Sequence, residues 1–327
     1  MQKLNDIKIL TYCCGKTVHL PAYNESNKET VVLFDKNNSV IQGITYLTDI
    51  IYDDISNMKN DATSRTIKNY EEPVFLFYTF YYQVSFHHFL IQLIPKLKIF
   101  EKTTYKMIIP KHTYTRLLKD IFNIYGINKN RIILIDDDYV HCFKQIMHYP
   151  HFCQWSCEKS VIDTYMHIRN NLNIIPTNTK TKRIYIKRDG ISNSENNNSE
   201  TGINRKIVNE KDLEQMLIQN GFVINSVGTL TIKEKQNLLS NCDIIIIQNG
   251  ATLCNLLFAE SPNKLLVLSN KTYLFAYDYY IKLLRSIYNT SFERTVFLYT
   301  DIKNNDANIH NNSFFVDINH IYKYINE

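Results

Sequence analysis

The stretch CDIIIIQNGATLCNLLF, Cys242–Phe258, decides the fold. Four consecutive isoleucines leave no polar alternation, so the run reads as a strand buried on both faces, the habit of a parallel sheet covered by helices on each side. NGAT at Asn249–Thr252 follows at once and leads into a helical pattern expected over Thr252 to Ala259. In an open α/β sheet, ligands sit beyond the carboxyl ends of strands, where the start of a helix offers free N–H groups and partial positive charge to a phosphate. Gly250 allows close approach or a special backbone angle, and Thr252 adds a hydroxyl. A βα junction with no ligand would use the same turn, so this feature alone leaves both readings open.

Working outward, the same rhythm repeats. Strands are expected at Arg183 to Lys187, Phe222 to Asn225, Asp243 to Ile247 and Lys264 to Leu268, with helices at Glu210 to Asn220 and Ile232 to Ser240 between them. Asn209, with Asp212 three residues on, is placed to cap the first helix and Gly221 to stop it; Thr231 with Glu234 makes a capping box for the second. The first half reads as strands Val74 to Phe80, Lys106 to Ile109, Arg131 to Ile135 and Lys144 to Met147, with helices near His87 to Phe100 and Thr113 to Tyr125. Pro95 predicts a kink or break in the former helix. After a helix near Glu158 to Asn171, the polar IPTNTKTK at Ile175 to Lys182 reads as an interdomain linker. The expected division is 1–175, 176–300 and a tail 301–327 closing on a helix. The fold class is therefore α/β, with two Rossmann-like domains.

Composition excludes several classes. A chain of 327 residues is long enough for about two domains at ~150 residues each. Its 44% hydrophobic and 21% charged content rules out wholesale disorder. A net charge of +5 suits anionic small ligands and is weak for a dedicated nucleic-acid binder. No run approaches a membrane span, and the N-terminus turns polar too early for a signal peptide. Seven cysteines, an odd number, are expected as reduced thiols. The chain reads as soluble and cytosolic, with peripheral membrane association through basic side chains left open.

Basic residues gather where that sheet edge is expected. RIYIKRDG places Arg188 at the carboxyl end of its strand, and after the Asn-rich loop Asp189 to Asn204, NRKIVNE brings Arg205 and Lys206. A guanidinium fork suits a diphosphate. Taken in order, the Arg-ended strand Lys187–Arg188, the segment Arg205–Glu210, Gly221–Phe222, EKQ at Glu234–Gln236 and NGATLCNLLF at Asn249–Phe258 resemble glycosyltransferase family 61. Upstream, FHHFLIQLIPKL at Phe86–Leu97 is similar to that family's His-Phe and Pro-Leu segment, so the resemblance covers about residues 80–270.

The resemblance implies a GT-B architecture with the active site in the cleft between two Rossmann-like domains, a UDP-sugar or other nucleotide-sugar donor, and a glycan or glycoprotein acceptor. It implies transfer with inversion and without a metal or other cofactor. Donor binding falls to Arg188, Arg205, Lys206, Asn249, Gly250, Ala251, Thr252 and Asn255. Inversion needs a general base, for which His88 is the first candidate and His87 the second. The chain departs from the family pattern at Ser85, Gln92, Asn249 and Thr252; Gln92 stands where an acidic residue is frequent. A catalytically degenerate nucleotide- or glycan-binding scaffold is the alternative reading.

Three other readings compete. Asp136, Asp137 and Asp138 have the spacing of a metal-binding acidic motif, although Asp also favours solvated turns. His141, Cys142, His148, His151, Cys153 and Cys157 crowd one region without the paired knuckles of a zinc site. No G-x-G-x-x-G follows any strand, which disfavours a nicotinamide or flavin enzyme.

Overall fold

Among the described residues, two large sheets form, one in each of the units Met1–Gln154 and Trp155–Glu327. The computed structural model describes residues 2–14, 28–34, 65–78, 86–111, 114–136, 138–149, 157–174, 180–188, 206–271, 275–288, 293–299, 301–302 and 313–327.

In the first unit, strands β1 (Gln2–Cys14), β2 (Lys28–Phe34), β3 (Thr66–Tyr70), β4 (Val74–Leu76), β5 (Lys106–Pro110), β6 (Ile132–Ile135) and β7 (Tyr139–His148) build one sheet. Its order is β2-β1-β7-β4-β5-β6, with β3 also paired to β7. The expected parallel sheet is present in β3 to β7, whereas β1 runs antiparallel to both β2 and β7. β3 and β4 follow one another along β7, with Glu71, Glu72 and Pro73 between them. Proline has no N–H for the ladder, so the break falls there. Val74, Leu76, Ile108, Ile135, Phe143 and Ile146 form the core of one face.

The long helix expected after β4 is broken. It comprises α1 (Phe86–His88), a π turn (Phe89–Leu93) and α2 (Lys96–Phe100). Ile94 N donates to Phe89 O at 3.1 Å, the wider π spacing, and Pro95 then serves as the N-cap of α2. Helix α3 (Arg116–Tyr125) starts from a Thr115 side-chain cap and ends at Gly126, whose φ of 84° needs glycine.

The second unit holds β8 (Lys182–Lys187), β9 (Phe222–Ser226), β10 (Cys242–Gln248), β11 (Lys264–Asn270) and β12 (Glu293–Tyr299), all parallel, in the order β12-β11-β10-β8-β9. That is the doubly wound order 2-1-3-4-5, and it reverses between β8 and β10. The helices are α4 (Lys159–Asn171), α5 (Glu210–Gln219), α6 (Ile232–Leu239), α7 (Phe275–Tyr288) and α8 (Ile318–Asn326). Leu213, Leu217, Ile321 and Ile325 from α5 and α8 pack on Ile244 and Ile246 of β10. The alternate residues Ile245 and Ile247 are equally buried, as the unbroken isoleucine run requires. Between β12 and α8 lies a short antiparallel pair, β13 (Asp301–Ile302) with β14 (Ser313–Phe314).

Several expectations change. Helix α4, assigned to the first domain with a boundary at 175, packs instead within the second unit: Gln236 Nε2 donates to Leu172 O at 2.9 Å, and Arg169 donates to Ala259 O. The segment after NGAT is a 3₁₀ helix, Ala251–Phe258, rather than an α-helix. Asn209 does not cap α5 with its side chain; its Nδ2 donates to Val316 O at 2.8 Å and its Oδ1 accepts from Val316 N at 2.9 Å, tying down the segment before α8. The Thr231–Glu234 capping box forms as expected, and Gly221 adopts φ 78° after α5. Among the described residues, no helix is long and apolar enough to cross a membrane.

Candidate functional site

In the second unit, the two segments singled out by sequence end on neighbouring strands. Ile186 of β8 pairs with Ile247 of β10, so Arg188 and Asn249 each stand two residues beyond a paired position, at the carboxyl edge where the strand order reverses. This is the switch-point crevice in which open α/β sheets hold ligands. The neighbouring side chains of β8 serve the opposite helix: Tyr185 Oη donates to Glu210 Oε1 at 2.8 Å and Lys187 Nζ to Glu214 Oε1 at 2.6 Å. Burial raises the Glu210 carboxyl, while Tyr185 and Lys187 pull it down.

The turn after β10 is held by backbone and side chain together. Asn249 N donates to Leu268 O at 2.8 Å, continuing the ladder to β11, and Asn249 Nδ2 donates to Ser269 Oγ at 2.9 Å. Asn249 is only 3% exposed, so the structure places it inside the turn as a brace. Gly250 adopts φ 136° and ψ −159°, a region essentially reserved for glycine. Leu253 N then donates to Gly250 O at 3.0 Å. The amides of Ala251 and Thr252 open the 3₁₀ helix, and Ala251 and Thr252 are half-buried. Asn255, also expected at the ligand, is buried and directs its Nδ2 to Thr252 O.

Lys206 is exposed, and its carbonyl accepts from Phe314 N at 3.0 Å. Val208 N donates to Phe314 O at 2.9 Å, so the C-terminal segment runs beside the basic stretch as a miniature strand pair. Arg205, Asp189 and Gly190 lie outside the described residues.

In the first unit, β4 lies between β5 and β7, and the chain proceeds from β4 through β5 and β6 before returning at β7. The strand order therefore also reverses at β4, whose carboxyl end leads toward His87 and His88. His88 is half-buried and its Nδ1 donates to Gln92 Oε1 at 2.8 Å, which leaves Nε2 as the lone-pair nitrogen. Burial lowers the His88 pKa, and the bond to Gln92 opposes that shift. His87 is 5% exposed; burial, then the neighbouring His88, lowers its pKa to about 3. Of the two, His88 has the more ordinary basicity and an oriented ring.

Two further residues belong to this edge: Lys96, which sequence reasoning missed, and His148, which it read only as part of the His/Cys cluster. Lys96 is fully buried, its Nζ donates to Tyr78 O at 2.8 Å, and burial lowers its pKa to about 7. His148, at the end of β7, is lowered to about 3 by burial and then by the Lys96 charge. A lysine directly after Pro95 on an otherwise apolar segment was the available signal.

Asp136, directly after β6, is held by His141 of the following strand, β7. His141 Nε2 lies 3.1 Å from Asp136 O and 3.7 Å from Asp136 Oδ1, while His141 Nδ1 bonds the Tyr70 hydroxyl at 3.0 Å. Asp137, His151 and Cys153 fall outside the described residues, and Cys142 and Cys157 form no disulfide among the described residues. Among the described residues, no cluster of three or more His, Cys, Asp or Glu could hold a metal ion.

The family model Glycosyltransferase 61 matches residues 86–267, from the start of α1 into β11. The chain belongs to glycosyltransferase family 61. A comparison with curated proteins finds no match. For a family 61 member, the structure collects Arg188, Asn249, Gly250, Ala251, Thr252 and Asn255 around one strand edge of the second unit, with Lys206 on the segment leading into α5. His87 and His88 belong to the first unit.

Proposed function

We propose that this glycosyltransferase transfers a sugar from a nucleoside-diphosphate sugar, a UDP-sugar first among them, to a glycan or glycoprotein acceptor with inversion and without a metal. One observation carries the reading: in a family 61 chain, Arg188 and the Gly250 turn end adjacent strands at the topological reversal of a 2-1-3-4-5 sheet. In this reading the second unit is the donor half of a GT-B-type pair and the first unit is the acceptor half.

The mechanism is a direct displacement. His88 Nε2 removes the proton from the acceptor hydroxyl as its oxygen attacks the anomeric carbon, and the bond from that carbon to the diphosphate oxygen breaks. The leaving nucleoside diphosphate gains one negative charge. Arg188, Arg205 and the amides at Gly250 to Thr252 stabilise that charge, the role a divalent cation fills in other transferases. Gln92 orients the imidazole but, unlike a carboxylate, adds no charge to hold the imidazolium that forms. His88 paired with Gln92 is therefore a weaker base than a His–carboxylate pair would be.

The test is thermal stabilisation by UDP, GDP, CMP and NAD, each with Mn²⁺ and with EDTA, followed by donor hydrolysis. A shift with one nucleoside diphosphate that survives EDTA, abolished in Arg188→Ala with its unliganded melting temperature kept, supports the reading. A shift that requires Mn²⁺ overturns metal independence. Nucleotide binding with no transfer or hydrolysis identifies a non-catalytic scaffold.

A further inference from the structure

Behind the Gly250 turn, a line of side-chain hydrogen bonds joins helix α6 to the 3₁₀ helix. Lys235 of α6 is 2% exposed, and its Nζ donates to Asn255 Oδ1 at 2.8 Å. Asn255, 3% exposed, turns its Nδ2 to Thr252 O at 2.8 Å. The Thr252–Leu253 peptide is thereby held at both ends, because Leu253 N donates to Gly250 O. Fixing that peptide plane fixes the direction of the two amides before it, Ala251 and Thr252, which open the helix. A 3₁₀ helix needs such support, since its hydrogen bonds have poorer geometry than those of an α-helix and eight residues is a long run.

The position of Lys235 is unusual for its chemistry. Ile232, Lys235, Gln236 and Leu239 are buried at the i, i+3, i+4 and i+7 spacing of a core-facing stripe, so a lysine occupies a place where an apolar residue is the rule. Its positive charge is felt by the buried Cys254 thiol, opposing the upward shift that burial imposes there. Gln236, beside it, ties α6 to the end of α4 through Leu172 O.

We propose that Lys235 is a positioning residue for the donor diphosphate: through Asn255 it sets the peptide planes of the Gly250–Leu253 turn, so that the Ala251 and Thr252 amides converge on a phosphate oxygen. This rests on the donor-site reading above and adds a residue and a linkage to it. Lys235 does not touch the donor; it acts by keeping two amides aligned before the ligand arrives, which spares the ligand the cost of ordering them.

The test compares wild type with Lys235→Met, which keeps the buried stem and removes the donor, and Lys235→Gln, which returns a neutral donor to Asn255. Affinity for UDP and GDP is measured by titration calorimetry, and amide hydrogen exchange is followed over residues 249–258 without ligand. Losing a charged hydrogen bond at this point is expected to weaken affinity about tenfold or more in Lys235→Met. Exchange over 249–258 rises in that variant and stays unchanged in β11, while Lys235→Gln recovers both readouts to within about threefold. Wild-type affinity and exchange in Lys235→Met overturn the proposal, and so does an equal loss in Met and Gln. Should Lys235→Met fail to fold, Asn255→Asp replaces it, since its carboxylate still pairs with Lys235 but cannot donate to Thr252 O. Raised exchange there supports the linkage and wild-type exchange overturns it. Wild-type protein that binds neither UDP nor GDP sinks the donor-site reading, whereas the exchange arm still judges the linkage.

Discussion

Replacing Gln92 by glutamate should convert His88 from a depressed histidine into an elevated one. In the wild type, His88 Nδ1 donates to a neutral amide oxygen at 2.8 Å, and burial holds its pKa below the ordinary 6.5. A carboxylate in the same place puts opposite charges about 4 Å apart, worth about 4 kcal/mol at an effective dielectric constant of ~20. That upper figure equals about 3 pKa units, and solvent at the half-buried ring reduces it to roughly 1–2 units. Gln92 is itself buried, so the new carboxyl ionises most readily when His88 is protonated, and the two groups titrate as a pair. The assay is NMR titration of the imidazole carbons, with His88→Asn to assign the signal. The midpoint is expected to move from below 6.5 to above it. Where transfer is measurable, the acid limb of kcat/KM moves the same way, because the base must be neutral to accept a proton. An unmoved midpoint would show that Gln92 does not hold His88 in solution, and an acid limb unmoved despite a shifted midpoint would remove His88 as the base.

Gly250→Ala forces a Cβ into φ 136°, ψ −159°, at a cost of about 1–3 kcal/mol; a lower melting temperature with weakened nucleoside diphosphate binding is expected, and an unaffected variant would show that the turn is not strained. Asn209→Ala removes both bonds to Val316 and leaves a buried N–H and C=O without that partner, costing about 1–3 kcal/mol, and hydrogen exchange over 313–317 should rise while that over β10 is kept. His87 and His148 are held neutral with pKa values of about 3, against 6.5 in the unfolded chain. The unfolded state therefore binds more protons below pH 6.5, so stability falls from that pH down to about 3, by on the order of 5 kcal/mol for each residue. Urea unfolding at pH 7, 5 and 4 measures that slope, and His148→Gln should flatten it; an unchanged slope would mean that His148 is not the buried titrating group.

Much of the second unit could be read from the sequence because its signals are local. The isoleucine run of β10, the Thr231–Glu234 capping box and Gly221 after α5 depend on side-chain period, a three-residue spacing and a backbone angle, all encoded within a few residues. The same is true of the break at Pro95 and of the motif series that resembles family 61, a resemblance that the family match over 86–267 bears out. Two features had a local signal that went unread. His88 and Gln92 stand at an i, i+4 spacing, and Lys235 falls on the apolar stripe of α6.

What tertiary structure alone decided are the choices between partners far apart in the chain. Whether α4 belongs to the first or second unit is settled by Arg169 and Gln236 contacts reaching across 90 and 64 residues of sequence. Asn209 had a local partner in the α5 amides and a distant one in Val316, 107 residues on, and the distant pair offered two hydrogen bonds in a buried setting where one cap would have served. The strand order that puts Arg188 beside Asn249 is likewise a matter of which buried faces fit, not of any spacing. A sequence states what each segment prefers; competition among buried surfaces and unsatisfied polar groups, which only the assembled chain presents, selects which preference survives.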